Sequence, residues 1–291
     1  MIGRTKPQVL AAVPTAFSPH GDVSVDGTKA LTEFLAEAGV DGLFLCGTAG
    51  EFPALSPSDR GTVARAVMDT VGTDVRVVLH AGAASIREVA QLLEIAGESG
   101  ITDVAIITPY FLPNASETLL GFYREVSALS QGLHTYLYVY RALCGSYVDP
   151  AGMAAIAELP NIVGAKISGE TPATIGEFID RTPPEFEVYA GADQELVAMA
   201  EQGAIGVVSA MASARPRPFV ALADAWASND ADAVARWQAA VDDVCGVLGG
   251  QIPRTRYALS LQQISVGRAR MSLDGVEGAE NEIARIVNLY R

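Results

Sequence analysis

The stretch Asn161-Ile-Val-Gly-Ala-Lys-Ile-Ser168 combines a short apolar run with a single lysine near its end. The run Ile162–Ile167 is rich in isoleucine and valine, which favours a buried β-strand. Thr171 is a typical N-cap that stands directly before a proline, so a helix is predicted over Pro172–Asp180. A second apolar run, Glu187–Ala190, follows. The stretch therefore predicts a β-α-β unit with parallel strands.

The same alternation extends in both directions along the chain. Eight strands are predicted in all: Val9–Val13, Gly42–Cys46, Val75–His80, Val104–Thr108, Thr135–Tyr140, Ile162–Ile167, Glu187–Ala190 and Ile205–Ser209. The helical patterns between them include Gly27–Ala38, Pro57–Val71, Ile86–Ser99 and Ser116–Ser130. Eight such units within about 220 residues, with strands apolar on both faces, favour an α/β fold closed into a (β/α)8 TIM barrel. A doubly wound open sheet is the weaker alternative, because no GxGxxG motif follows the first strand.

The strand signals stop after residue 226, and helical patterns take over. Three helices are predicted there, over Ala231–Leu248, Arg256–Ile264 and Gly278–Leu289, with Gly249–Pro253 as a linker. We therefore predict a catalytic barrel over residues 1–226 and a C-terminal three-helix region over residues 227–291.

Composition narrows the range of partners. The formal net charge of −14 makes nucleic acid and anionic membranes poor partners. Because the protein as a whole repels anions, an anionic small molecule would need a pocket that is locally positive or rich in N–H groups. Cys46, Cys144 and Cys245 are scattered without a CxxC motif, as is typical of free thiols in a reducing compartment. The segment Met1–Gln8 has no apolar leader, and no apolar run reaches the ~20 residues of a membrane helix. A cytoplasmic protein is expected.

Lys166 is the residue that the sequence singles out for chemistry. It is one of three lysines among 20 basic residues, and it lies at the end of an apolar strand. Burial removes the water that stabilises an ammonium, so the pKa falls and a nucleophilic amine can exist near pH 7. At the carboxyl end of a barrel strand such an amine can condense with a ketone to an imine. The alternative is a structural lysine that pairs with a carboxylate such as Glu170 or Asp193.

Two further groups of residues follow or occupy other predicted strands. The turn Gly47-Thr-Ala-Gly-Glu51 has small residues that leave backbone N–H groups open to a carboxylate, and Thr48 adds a hydroxyl. A plain tight turn, oriented by Glu51, explains the same residues. Tyr138 and Tyr140 alternate along one strand and so share a face, where a phenol beside an imine can shuttle protons. Ordinary aromatic packing is the commoner role of a tyrosine.

In this order along the chain, these signals resemble the dihydrodipicolinate synthase/N-acetylneuraminate lyase family. The matching segments run from Val13-Pro-Thr15 through Gly47–Glu51, Thr108-Pro-Tyr110, Leu137-Tyr138, Val163–Lys166, Ala190–Asp193 and Gly203–Val207 to Ile252-Pro253. The resemblance implies a barrel with a C-terminal helical domain, usually a homotetramer, that needs no metal or organic cofactor. It also implies that Lys166 forms the imine, that Tyr138 shuttles protons and that Thr48 joins the hydroxyl relay.

The resemblance implies substrate contacts as well. The backbone N–H groups of Thr48 and Ala49 would hold the carboxylate of a 2-oxo acid. The other residues expected to line the substrate are Tyr140, Arg141, Ser168, Gly191 and Val207. Arg141 is either a relocated anion-binding group or a surface arginine.

Departures from the family pattern bear on the substrate. Ala49 stands where a second threonine is usual, and Phe111 replaces a tyrosine that reaches in from a neighbouring subunit. Leu143 replaces the arginine that binds the carboxylate of aspartate semialdehyde in dihydrodipicolinate synthases, and leucine cannot make that contact. The stretch from Tyr138 to Gly145 is more similar to the aldolase branches of the family.

The sequence therefore predicts a lyase of the class I aldolase type, which splits a 2-oxo acid such as a 2-oxo-3-deoxy sugar acid into pyruvate and an aldehyde. One alternative is a dihydrodipicolinate synthase-type condensation or a hydro-lyase on the same imine. Another is a family member that has lost turnover and acts as a binding protein. A phosphate- or flavin-binding barrel ranks lower, because the segments after the last two strands lack paired glycines.

Overall fold

A computed structural model describes residues 5–290 of the chain. Eight parallel strands close into a barrel in chain order, which confirms the predicted TIM barrel. The strands are β1 Gln8–Ala12, β2 Gly42–Leu45, β3 Arg76–His80, β4 Asp103–Ile107, β5 His134–Val139, β6 Ile162–Ser168, β7 Glu187–Gly191 and β8 Gly206–Ser209. Each lies within one residue of its predicted bounds.

The helices connect the strands and extend the chain beyond β8. They are α1 Val25–Glu37, α2 Pro57–Val71, α3 Ile86–Glu98, α4 Ser116–Leu129, α5 Arg141–Cys144, α6 Pro150–Ala157, α7 Pro172–Asp180, α8 Leu196–Glu201, α9 Pro216–Ala227, α10 Ala231–Leu248, α11 Ile252–Ser260 and α12 Glu280–Leu289. Thr171 caps α7 as predicted, since its hydroxyl accepts a hydrogen bond from the Thr174 N–H. No helix within residues 5–290 is long and apolar enough to span a membrane.

One predicted helix was placed wrongly. The segment Gly249–Pro253 was expected to be a linker before a helix over Arg256–Ile264, but α11 begins at Ile252 and ends at Ser260. Pro253 lies in the first turn of α11, where a backbone N–H has no helical partner, so a proline there costs nothing. The proline marks the beginning of a helix rather than a break.

The chain forms two compact units. The first combines the described parts of Met1–Arg76 and Val208–Arg291, and it contains β1, β2 and helices α9 to α12. The second is Val77–Val207, which contains β4 to β7. The division into a barrel over residues 1–226 and a helical region after it remains a prediction, and residues 1–4 and 291 lie outside the described residues.

Apolar side chains are buried on the strands of the second unit. Those of Val104, Ile106, Leu137 and Ile167 are buried almost completely. Complete burial of such a side chain contributes about 1.5–3 kcal/mol relative to an exposed one. The strands of this unit are therefore held firmly, and so are the polar residues on them. Cys46, Cys144 and Cys245 are buried, and none of them forms a disulfide within the described residues.

Candidate active site

Lys166 lies near the carboxyl end of β6, among buried residues. The register pairs it with Tyr138 on β5 and with Tyr189 on β7. Its side chain is only 6% exposed, although lysine is seldom buried without a specific reason. Its neighbours Ala165 and Ile167 are apolar and suit a buried strand. Lys166 carries an amine in the same buried segment, and its burial therefore needs a chemical explanation.

Burial lowers the pKa of Lys166 from 10.5 to about 7. The charge of Asp193 raises the pKa, but the loss of hydration is the larger effect. Asp193 therefore acts on Lys166, as the alternative of a lysine paired with a carboxylate predicted. Its charge is nevertheless too weak to return the pKa of the amine to the ordinary value of a lysine. Near pH 7 the amine therefore exists in part in its neutral form, which can attack a carbonyl.

Tyr138 is the aromatic neighbour of this amine. The Lys166 Nζ atom lies 4.2 Å from the centroid of the Tyr138 ring, which is itself buried. The ring of His80 meets the ring of Tyr138 edge-on, with 5.7 Å between their centroids. The structure thus brings the predicted nucleophile and the predicted proton shuttle together on neighbouring strands.

Tyr140 comes two residues later, as the residue before α5. Burial is the main cause that raises the pKa of its phenol, and the charges of Tyr138 and Asp193 raise it further. The phenol therefore remains protonated and can donate a hydrogen bond to a substrate oxygen. A Cβ atom at Gly169, the residue after β6, would lie 3.5 Å from the Tyr140 ring, so this ring lies close to the end of the lysine strand.

Ser168 and Gly191 are paired in register at the carboxyl ends of β6 and β7. A Cβ atom at position 191 would overlap the Ser168 hydroxyl and lie 2.9 Å from the Ser168 Cβ atom, so a side chain there would force Ser168 to shift. Ser168 also lies two residues after Lys166, on the same face of the strand. Val207 is fully buried on β8 and pairs with Ala190, next to Gly191.

Three other residues of interest lie on exposed surface. The Arg141 side chain is exposed and stacks on the ring of Tyr147, with 4.8 Å between the guanidinium carbon and the ring centroid. Leu143 on α5 is 51% exposed, and Phe111, in the loop after β4, is 89% exposed. Arg141 is thus positioned by an aromatic neighbour, while its role in anion binding remains a prediction.

The turn after β2, Gly47–Glu51, belongs to the first unit. The Gly50 N–H donates to the Gly47 carbonyl and the Glu51 N–H donates to the Thr48 carbonyl, both at 3.0 Å. Within residues 5–290, the Ala49 N–H donates no hydrogen bond to another group of the protein. An N–H group left open in a tight turn is what a carboxylate-binding turn requires.

Glu51 has a partner that sequence reasoning missed. Its carboxylate is fully buried, and Oε2 accepts a hydrogen bond of 2.8 Å from the Met271 N–H. Oε1 lies 3.3 Å from Nη2 of Arg256 on α11, an ion pair without hydrogen-bond geometry. The sequence of α11 carries no local signal that identifies this partner. Among residues 5–290, no group of three or more His, Cys, Asp or Glu residues could hold a metal ion.

Comparisons with known proteins agree with this arrangement. Residues 6–266 match the model of the dihydrodipicolinate synthetase family. An uncharacterized DapA-like lyase from Halobacterium salinarum is 32% identical over 271 residues, which cover 92% of this chain and 88% of the relative. A putative 2-dehydro-3-deoxy-D-gluconate aldolase from Escherichia coli K12, YagE, is 32% identical over 226 residues, with 76% and 74% covered.

A solved structure extends the similarity to three dimensions. The crystal structure of YagE in complex with pyruvate matches with a TM-score of 0.90 and 26% identity, and the match covers 98% of both chains. The similarity therefore includes the barrel and the C-terminal helices alike.

Proposed function

Because the chain belongs to the dihydrodipicolinate synthetase family, whose members are Schiff-base-forming lyases and aldolases, we propose that it cleaves a 2-oxo-3-deoxy sugar acid to pyruvate and an aldehyde. The protein is a lyase. The observation that carries this proposal is the buried Lys166 amine, with a pKa of about 7, beside the Tyr138 ring.

The proposed reaction begins with the neutral amine of Lys166. Its lone pair attacks the ketone carbon of the 2-oxo acid and forms a carbinolamine. Tyr138 donates a proton to the departing hydroxyl, water leaves, and a C=N bond forms. Because this iminium carries a positive charge next to the carbon that will react, it supplies the electron sink and no organic cofactor is needed.

Cleavage follows from that electron sink. Tyr138 removes the proton from the hydroxyl on the carbon beyond the breaking bond, and Thr48 is proposed to relay it. The C–C bond breaks, its electron pair forms an enamine, and the aldehyde departs. Protonation of the enamine carbon and addition of water then release pyruvate and restore the Lys166 amine.

The proposed substrate contacts differ according to whether they bind the carboxylate, bind the sugar hydroxyls or line the pocket. The open N–H of Ala49, with the Thr48 N–H beside it, would bind the carboxylate. The Tyr140 phenol and the Ser168 hydroxyl would bind sugar hydroxyls, while Gly191 and Val207 would line the pocket. Arg141 is proposed as an additional contact for an anionic substrate.

The nature of Leu143 supports a sugar acid over aspartate semialdehyde. Its side chain is half exposed. By the family resemblance, the condensing enzymes have an arginine at this position. An aliphatic side chain cannot bind a second carboxylate. Similarity to a putative deoxygluconate aldolase that was crystallised with pyruvate supports the same choice.

A panel of substrates tests the function. The protein would be incubated with 2-oxo-3-deoxy sugar acids of different length and configuration, and pyruvate formation would be followed by NMR. Lys166→Met serves as the matched inactive control. Turnover of a sugar acid is expected; turnover of pyruvate with aspartate semialdehyde alone would favour the condensing synthase instead. Absence of any turnover by a folded protein would favour a binding protein.

We also propose a cytoplasmic homotetramer. Three buried cysteines that form no disulfide within the described residues suit a reducing compartment. Phe111 and its neighbour Leu112 are large apolar side chains with 89% and 67% exposure, which contact with another subunit would bury. Light scattering at several protein concentrations would decide the assembly, and a monomer at all concentrations would contradict it.

A further inference from the structure

The turn Gly47–Glu51 has a tightly wound backbone. Cys46 before it and Glu51 at its end have φ angles of 52° and 60°, in the left-handed region that residues with side chains seldom adopt. A Cβ atom at Gly50 would lie 3.0 Å from the Cys46 Cα atom and 3.1 Å from the Val13 carbonyl oxygen. Such a conformation persists only where surrounding contacts hold it.

Arg256 supplies contacts on both sides of this turn. Its Nη1 and Nη2 atoms donate to the Thr15 carbonyl at 2.8 and 2.9 Å, and the Thr15 hydroxyl donates to the Gly50 carbonyl at 2.7 Å. Nη2 also lies 3.3 Å from Oε1 of Glu51. Arg256, Thr15, Gly50 and Glu51 therefore form a closed ring of contacts behind the turn.

Charge gives this ring a second role. Glu51 is fully buried and is the last residue of the turn that is proposed to bind a carboxylate. A negative charge in that place repels an incoming anion, and burial strengthens the repulsion because little water screens it. The guanidinium of Arg256, whose Nη2 atom lies 3.3 Å from Oε1, offsets this charge.

We propose that Arg256 is a positioning residue for the 2-oxo acid carboxylate: it fixes the Gly47–Glu51 turn and cancels the charge of Glu51 behind it. This inference rests on the proposed function. Arg256 does not touch the substrate in this scheme, and it acts only through Glu51, Thr15 and the turn. Its effect should therefore depend on whether the ligand carries a carboxylate.

Reductive trapping of the imine measures that dependence. The rate of borohydride-trapped labelling would be recorded against the concentration of pyruvate and of methyl pyruvate, which is an uncharged ester. In Arg256→Met the half-saturating pyruvate concentration is expected to rise about tenfold, with less than a twofold change for the ester and for the limiting rate. Adding Glu51→Gln to Arg256→Met should recover most of the affinity for pyruvate, because the uncompensated charge is gone.

Two more variants separate positioning from folding. Arg285→Met removes another arginine–carboxylate pair from the C-terminal helices, that between Arg285 and Asp243. It should leave the half-saturating concentrations of pyruvate and methyl pyruvate unchanged. Arg256→Lys keeps the charge but loses the paired contacts with the Thr15 carbonyl. We expect the half-saturating concentration to rise about threefold for pyruvate and to stay unchanged for the ester. If Arg256→Met does not fold, Arg256→Lys decides the question.

The possible failures are distinguishable. A wild-type protein that pyruvate does not label would remove the proposed function and this inference with it. Suppose instead that pyruvate labels the wild-type protein. Variants that weaken the binding of pyruvate and of methyl pyruvate equally, or that weaken the binding of neither, would then overturn only the role of Arg256.

Discussion

The Nζ atom of Lys166 lies 4.2 Å from the centroid of the Tyr138 ring, and the two residues are paired in register on β6 and β5. A strand register fixes this relationship more firmly than a loop could, because both strands are buried on both faces. The pair is therefore a preformed arrangement of a nucleophile and a proton donor, and it allows the contribution of each residue to be measured separately.

Removal of the Tyr138 hydroxyl should slow turnover without disturbing the fold. Tyr138→Phe keeps the buried ring, and we expect kcat to fall by about 10²- to 10³-fold, since a general acid–base group is lost. Tyr123→Phe is the matched control, because that phenol is equally buried and donates only to the Ile106 carbonyl. Steady-state kinetics would check both variants; equal rates for Tyr138→Phe and the wild type would contradict the proton-shuttle role.

The rate of imine formation should depend on the ionisation of Lys166. Since only the neutral amine attacks, trapping with pyruvate should accelerate as the pH rises, with a midpoint near the lysine pKa of about 7. The negative charge of Asp193 raises that pKa, so Asp193→Asn should move the midpoint to lower pH. Glu170→Gln is the control, because the charge of Glu170 acts on Tyr147. A midpoint that stays in place or moves upward in Asp193→Asn would refute this assignment.

Lys166 should also reduce the stability of the fold. Its pKa is 10.5 in the unfolded chain and about 7 when buried, so the unfolded state binds the proton more tightly. The penalty is fully present below pH 7, declines as the pH rises and vanishes above 10.5. Lys166→Met should therefore be more stable by a few kcal/mol at pH 6, at about 1.36 kcal/mol per pKa unit, and by much less at pH 10.

Urea unfolding at several pH values would measure this difference. Lys29→Met is the control, because Lys29 is a half-exposed residue of α1 that forms a surface ion pair with Asp69. Its stability should follow that of the wild type at every pH. A difference between Lys166→Met and wild type that is absent, or that does not change with pH, would show that the lysine is well hydrated.

Several of these features could be predicted from the sequence. A lone lysine inside an apolar strand is a local pattern that a few consecutive residues reveal. The eight strands could be predicted for the same reason, because short apolar runs and the residues that bound them define each strand. The start of α11 was missed because Gly249 and Pro253 suggest a linker when their position relative to a helix is unknown. Only the hydrogen-bonding pattern shows that Pro253 lies in a first turn.

The contacts of Glu51 could not be predicted in the same way. Arg256 and Met271 lie far along the chain, and nothing local in α11 distinguishes Arg256 from Arg254 as the partner of a buried carboxylate. Tertiary packing decides which arginine points inward. The same holds for the fit between Ser168 and Gly191, which depends on the register of β6 and β7.

That fit leads to a further prediction. A Cβ atom at position 191 would overlap the Ser168 hydroxyl, so Gly191→Ala should lower the free energy of unfolding by about 1–3 kcal/mol and weaken substrate binding. Gly121→Ala on α4 is the matched control, because a Cβ atom there meets nothing within 4 Å and alanine favours a helix. Urea unfolding and KM values would be compared. A Gly191→Ala variant as stable and as active as the wild type would mean that position 191 tolerates a side chain.

The most direct measurement asks where pyruvate becomes attached. The protein would be reduced with borohydride in the presence of pyruvate, weighed, digested and sequenced by tandem mass spectrometry, with Lys166→Ala treated in parallel. We predict an increase equal to one reduced pyruvate, located on Lys166 and absent from the variant. An unchanged mass, or an adduct on Lys6 or Lys29 that persists in the variant, would contradict the proposed mechanism.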